Sequence, residues 1–159
     1  MKVYTTKQEI QAVINVLKTQ NKSIGFVATM GALHQGHMAL VKTALSQNDI
    51  AVVSIFVNPS QFNNKADLEK YPRTLEADIA LLSKIEHLVV FAPNISEVYP
   101  KNDNYIPVDL GSLDKVLEGK FRPGHFEGVA HVVHNLFAII KPTKAYFGLK
   151  DFQQIAIIR

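Results

Sequence analysis

Strand-like and helix-like hydrophobic patterns alternate along this chain from one end to the other, and that alternation restricts its fold more than any other feature. Residues 6–19 place Ile10, Val13, Ile14 and Leu17 at the i, i+3, i+4, i+7 spacing of an amphipathic helix. Residues 23–29 (SIGFVAT) form a short apolar run rich in strand formers, and residues 36–46 again offer a helical face through Met38, Leu40, Val41 and Leu45. Residues 50–57 (IAVVSIFV) are apolar almost throughout, as in a parallel strand covered on both faces. Helix returns at 73–85, strand at 88–92, helix at 125–141 up to Pro142, strand at 144–147 and helix at 152–158. Between these, 58–71 reads as a long loop containing Pro59, and 93–104 as an irregular excursion. Residues 106–111 read as a short edge strand because Pro107 would disrupt a central one, and 113–117 as a helical turn. The pattern predicts an α/β fold: a Rossmann-like open parallel sheet with helices on both faces. Such sheets bind ligands beyond the carboxyl ends of their strands, at the switch point, which singles out the segments after Thr29 and after Phe147.

The 159 residues are 47% hydrophobic and 19% charged, which excludes a disordered chain and suits one domain with a single core. The apolar runs fall far short of the ~20 residues that cross a bilayer, and residues 1–20 carry mixed charge without an apolar stretch of signal-peptide type. The expectation is a cytoplasmic protein without membrane contact. Seventeen basic and fourteen acidic residues give a net charge of +3. The basic residues are scattered, so nucleic acid is not the expected partner, whereas a small anion is compatible. The chain has no cysteine, which excludes disulfides, thiolate metal sites and thiol catalysis.

The most informative segment is Thr29-Met30-Gly31-Ala32-Leu33-His34-Gln35-Gly36-His37, between a predicted strand and a predicted helix. Its glycine spacing imitates a phosphate-binding loop, but His37-Met38 stands where that loop needs Lys and Ser or Thr. What remains is His-x-Gly-His at a helix start. His34 and His37, three residues apart, project from one helical face. With free backbone N–H groups and the positive end of the helix dipole they would cradle a polyanion. Gly36 leaves room for a ribose or purine close to the backbone. The competing reading is a surface histidine pair or a chance metal site; the strand before, the helix after and the glycine between favour the cradle.

Here the chain resembles a known family. MGALHQGH matches the signature of the pantothenate synthetase (pantoate–β-alanine ligase) family, within the nucleotidyltransferase superfamily that includes class I aminoacyl-tRNA synthetases. VNPSQF (57–62), YPRT (71–74), LEGKFRPGHFEGV (117–129) and FGLKDFQQ (147–154) also look like family segments and follow in the family order. The resemblance implies a two-step ligase: ATP and (R)-pantoate give pantoyl adenylate and pyrophosphate, then β-alanine attacks to give pantothenate and AMP. It implies ATP binding by Met30, Gly31, Ala32, Leu33, His34, Gln35, Gly36 and His37, with His37 as general acid and His34 beside it on the phosphates. Gly148, Leu149, Lys150 and Asp151 correspond to a second ATP-binding stretch, Lys150 supplying a charge for the phosphates. The family usually has Glu where Leu149 stands, so any side-chain role there is lost. Gln61 and Gln154 would hold pantoate, and Gln61 β-alanine as well, because an amide both donates and accepts. Mg²⁺ is expected with ATP, and Asp78, just after YPRT, is the candidate ligand.

Without the resemblance, Gln61 would read as an exposed loop glutamine and Lys150-Asp151 as a solvated pair. His131 and His134 share an i, i+3 spacing but lack a third ligand, which suggests a solvated or subunit-contact face. His125 reads as a helix-start residue, structural or at the site's rim. A homodimer is expected, with Val52, Val53 and residues 129–133 as candidate contacts. The resemblance makes 1–159 the family's N-terminal nucleotide- and pantoate-binding domain. Family members continue into a Lys- and Ser-rich loop and a small C-terminal lid domain absent from this sequence, so weak binding and poor turnover are expected of 1–159 alone. The alternatives are another His-x-Gly-His nucleotidyltransferase and a non-catalytic ATP-binding or dimerisation module.

Overall fold

A computed structural model describes residues 1–103 and 105–159. Among the described residues five parallel strands lie in the order β1-β4-β3-β2-β5: β1 Val3–Tyr4, β2 Ile24–Thr29, β3 Ile50–Ile55, β4 Leu88–Phe91 and β5 Lys144–Ala145. The centre is the six-residue register from Ile24↔Ile50 to Thr29↔Ile55, whereas β5 adds only Gly25↔Lys144 and Phe26↔Ala145. Strands β2, β3 and β4 step outward to one side, and the chain then returns to place β5 on the other side of β2. The switch point therefore lies between the carboxyl ends of β2 and β5.

Alternate residues of the strands feed two cores, as the continuous apolar runs require. On one face Ile24, Phe26 and Val52 pack with Ile10 and Ile14 of α1 (Lys7–Thr19) and with Val129, Val133, Leu136 and Ile140 of α7 (His125–Ile140). On the other, Val27, Ala51, Val53 and Val90 meet Met38, Val41 and Ala44 of α2 (Gln35–Gln47) and Leu82 of α4 (Leu75–Leu82). Each fully buried aliphatic or aromatic side chain there contributes about 1.5–3 kcal/mol. Val52 and Val53 are 0% exposed, and Val129, Val132 and Val133 are buried too. The subunit contacts expected of them are thus overturned: these valines are buried within the chain's own core.

Several local expectations are also revised. The loop expected over 58–71 contains a 3₁₀ turn, Pro59–Gln61, and a short helix α3, Lys65–Lys70. Helix α3 buries nothing, so it leaves no apolar period to read; the Asn64 side chain caps it by accepting from Ala66 N. The excursion at 93–104 holds α5 (Ile95–Val98), capped by Asn94; its end at Asn104 lies outside the described residues. Residues 106–111 pair with no strand among the described residues; Ile106 is 81% exposed. Turns at 113–117 lead into α6 (Glu118–Phe121) and are tethered by Gln153 of α8 (Phe152–Ile158), which donates to Val116 O at 2.8 Å. Strand β1 has no signature in the sequence because two residues beside the N-terminus carry no periodicity. His131 is only partly exposed, stacking on Tyr105 at 4.0 Å and meeting Asp103 at 2.6 Å, while His134 is exposed.

Candidate active site at the sheet switch point

The first half of the site grows out of β2. Thr29 ends the strand, its hydroxyl donating to Ser54 O at 2.7 Å while accepting from Gly31 N at 3.2 Å. Gly31 and Ala32 follow with φ of 85° and 50°, so the chain turns through the left-handed region twice in succession. Asp78 of α4 holds that turn. Its Oδ2 accepts from Ala32 N at 3.0 Å and from the Thr74 hydroxyl at 3.1 Å, and its Oδ1 accepts from Leu33 N at 2.8 Å. The carboxylate is 3% exposed and its oxygens are committed inward. Asp78, the candidate Mg²⁺ ligand, thus anchors the loop through both carboxylate oxygens and does not line the His34–His37 cleft. Among the described residues no three His, Cys, Asp or Glu side chains gather as a metal site. The cleft's imidazoles, amides and the Lys150 ammonium suit an anion, with the carboxylates of Glu118 and Asp151 at its border.

The turn delivers His34 to the N-cap of α2. His34 Nδ1 accepts from Gly36 N at 3.0 Å, and His37 Nδ1 accepts from His34 N at 3.3 Å. A backbone N–H can only donate, so both Nδ1 atoms are bare and each neutral ring carries its proton on Nε2. The rings lie 4.1 Å apart, centroid to centroid. A Cβ at Gly36 would sit 2.9 Å from His34 Cε1, so glycine here lets the His34 ring fold back as the cap. Burial holds the His37 imidazole below its ordinary value, with His34 acting the same way and Asp78 opposing.

The second half joins the 3₁₀ turn to α7. Asn58, 1% exposed, donates from Nδ2 to Gln61 Oε1 at 3.0 Å and to Gly128 O at 3.1 Å, and accepts from Tyr99 OH at 2.7 Å. With its carbonyl engaged, Gln61 offers its Nε2 donor outward, 3.1 Å from Met30 Sδ. His125, the first residue of α7, donates from Nδ1 to Gln61 O at 2.9 Å, a carbonyl being able only to accept. Gly128 lets α7 approach the turn: a Cβ there would lie 2.4 Å from Ser60 O. Sequence reasoning missed Asn58, Tyr99 and Gly128. The signal was the co-occurrence of VNPSQF with LEGKFRPGHFEGV, two segments that pack on each other.

Beyond β5, Lys150 Nζ lies 3.3 Å from Asp151 Oδ1, Lys150 81% exposed. These elements enclose one cleft of about 690 Å³, whose lining includes Met30, His34, His37, Gln61, Lys150 and Gln154. Gly31, Ala32, Gly36, Gly148, Leu149 and Asp151 border it as well. Of the predicted residues, Leu33 packs against the α2-side core and Gln35 points to solvent, neither lining the cleft.

A parallel sheet with an anion cradle where its connections diverge has the architecture of the nucleotidyltransferase fold. The family model for pantoate-beta-alanine ligase matches residues 2–159. A pantothenate synthetase of Phocaeicola vulgatus is 55% identical over 163 residues, covering 100% of this chain and 56% of that protein; one of Porphyromonas gingivalis is 52% identical over 159 residues. The pantothenate synthetase of Thermus thermophilus superposes with a TM-score of 0.90 at 44% identity, covering 100% of this chain and 56% of that one. The pantoate-beta-alanine ligase of Francisella tularensis, complexed with beta-gamma ATP and beta-alanine, superposes with a TM-score of 0.92 at 43% identity, covering 99% of this chain and 60% of that one. The chain belongs to the pantoate-beta-alanine ligase family and spans just over half the length of these relatives.

Proposed function

We propose that the protein condenses (R)-pantoate and β-alanine to pantothenate at the expense of ATP, through pantoyl adenylate, in the cytoplasm and as a homodimer. The observation that carries this reading is the pair of Nε2–H donors on His34 and His37, sharing one cleft with Lys150 and the amides of Gln61 and Gln154. A carboxylate oxygen of pantoate attacks the α-phosphorus, and the bond to pyrophosphate breaks with its electron pair on the leaving oxygen. The protein's work in that step is positioning and neutralising charge. ATP lies along Met30, Gly31, Ala32, His34, Gly36, His37 and residues 148–151, His37 supplies a proton or hydrogen bond to the phosphates, and Lys150 adds a mobile charge. Gln61 and Gln154 hold the pantoate carboxylate and hydroxyls. Mg²⁺ would arrive on the nucleotide, held by phosphate oxygens and water.

In the full-length protein, His37→Ala is expected to lower pantoate-dependent exchange of pyrophosphate into ATP by about 10²–10³, the usual loss for one well-placed donor. Pantoate affinity measured by calorimetry should change less than about threefold. Equal losses in both would overturn the assignment.

The lowered affinity of His37 for protons gives a second expectation. A triphosphate beside the ring raises that affinity, so ATP binding takes up a proton in the window between the lowered value of the free protein and the raised value of the complex. ATP should bind more tightly as pH falls through that window. Calorimetry in buffers of different ionisation enthalpy reads the uptake directly, and His37→Gln should abolish most of it.

A further inference from the structure

The cleft holds three imidazoles, and their hydrogen bonds give them opposite polarity. His34 and His37 each accept a backbone N–H at Nδ1 and present a proton at Nε2. His125 does the reverse: its Nδ1–H donates to Gln61 O, so its Nε2 carries a lone pair, and that atom has no hydrogen-bond partner among the described residues. His125 lines the cleft, is 5% exposed as a whole and stands at the amino end of the sixteen-residue α7. Nothing in adenylate formation uses such an acceptor. The second half of the reaction does, because β-alanine carries an ammonium, which has no electron pair with which to attack.

Resting on the ligase reading above, we infer that His125 is the general base of amide formation, its Nε2 taking a proton from the amine of β-alanine. The freed nitrogen pair attacks the acyl carbon of the adenylate. The carbon–oxygen bond to phosphate breaks and AMP leaves with that electron pair. The second nitrogen proton passes to water as the amide forms, and the imidazolium returns its proton to solvent. Burial and the Arg122 charge keep the ring neutral, against Glu118, Asp151 and the Gln61 carbonyl. The helix dipole adds to the first pair. The same Nδ1 bond ties the base to the backbone of Gln61, so the group that would hold the substrate and the group that deprotonates it move together.

The test is His125→Asn in the full-length protein, since the asparagine amide keeps a donor for Gln61 O and supplies no basic nitrogen. Transfer of preformed pantoyl adenylate to β-alanine should fall by about 10²–10⁴, the contribution of a general base, and at least tenfold more than pantoate-dependent pyrophosphate exchange. With hydroxylamine, already unprotonated at neutral pH, the deficit should shrink below about tenfold. Equal deficits with both nucleophiles, or a loss confined to exchange, would overturn the inference. A wild-type protein without pantoate-dependent exchange would overturn the ligase reading and this inference with it. The nitrogen NMR spectrum of unsubstituted protein gives an independent check: His125 should be the Nδ1–H tautomer at pH 7, and a proton found on Nε2 sinks the proposal.

Discussion

Asp78→Ala should cost the protein about 3 kcal/mol of folding stability and weaken ATP binding at least tenfold. The carboxylate satisfies two backbone N–H groups and a hydroxyl in a buried setting, and removal strands all three. An unpaired buried donor costs about 1–3 kcal/mol, with solvent entry into the vacated space recovering part of the sum. The loop also loses what holds Ala32 at a positive φ, a conformation of about 1–2 kcal/mol for a residue with a Cβ. Relaxation there shifts His34 off its cap and takes His37 with it. Urea denaturation and calorimetry with a non-hydrolysable ATP analogue measure the two effects. A metal ligand would behave otherwise, with full stability in chelator and a defect seen only with Mg²⁺. Asp78→Asn should fall between, since the amide keeps one acceptor and turns a donor toward the backbone N–H it must replace.

Gly128→Ala is the second large effect, and here two magnitudes oppose each other. Alanine in a helix interior is favoured over glycine by about 1 kcal/mol. Against that, the new methyl would lie 2.4 Å from Ser60 O, 2.6 Å from Ser60 C and 2.8 Å from Gln61 N. All three are backbone atoms, so no rotamer change relieves the contact, and overpacking of this kind costs about 1–3 kcal/mol. The steric effect wins. The 3₁₀ turn must back away from α7, carrying Gln61 with it. The expected outcome is a modest fall in thermal midpoint, a tenfold or larger loss of pantoate affinity, and nearly unchanged ATP affinity. Thermal unfolding with paired titrations of the two ligands checks it; a stabilised variant with normal pantoate affinity would show that the turn has slack.

Much of this arrangement could be read in the sequence because it depends on local pattern. The apolar periods of α1, α2 and α7 and the continuous runs of β2 and β3 each report burial directly, and the His-x-Gly-His segment declares a helix start. Helix α3 and strand β1 gave no such report, since neither has a buried face long enough to show a period. The site's supporting groups were hidden for a different reason. Asp78 and Ala32 are forty-six residues apart, and Asn58 meets Gly128 across seventy. A carboxylate in a chain looks the same whether it faces a cation or a pair of amides; only the tertiary fold decides. The roles of the three histidines were undecidable for the same reason, because each depends on which ring nitrogen the backbone occupies.

The narrow attachment of β5 has a consequence for assembly. Residues 24–37 and Asp78 build the histidine cradle within the first half of the chain, while the lysine side is fastened by two rungs and by bonds such as that from Ile24 N to Thr143 Oγ1, spanning 119 residues. Closing so long a loop is entropically slow and weakly rewarded until it is complete. The cavity is thus expected to be finished from its more loosely tethered margin, and a nucleotide bridging both sides would act as a clasp. Part of its binding free energy would then appear as order in the edge strand.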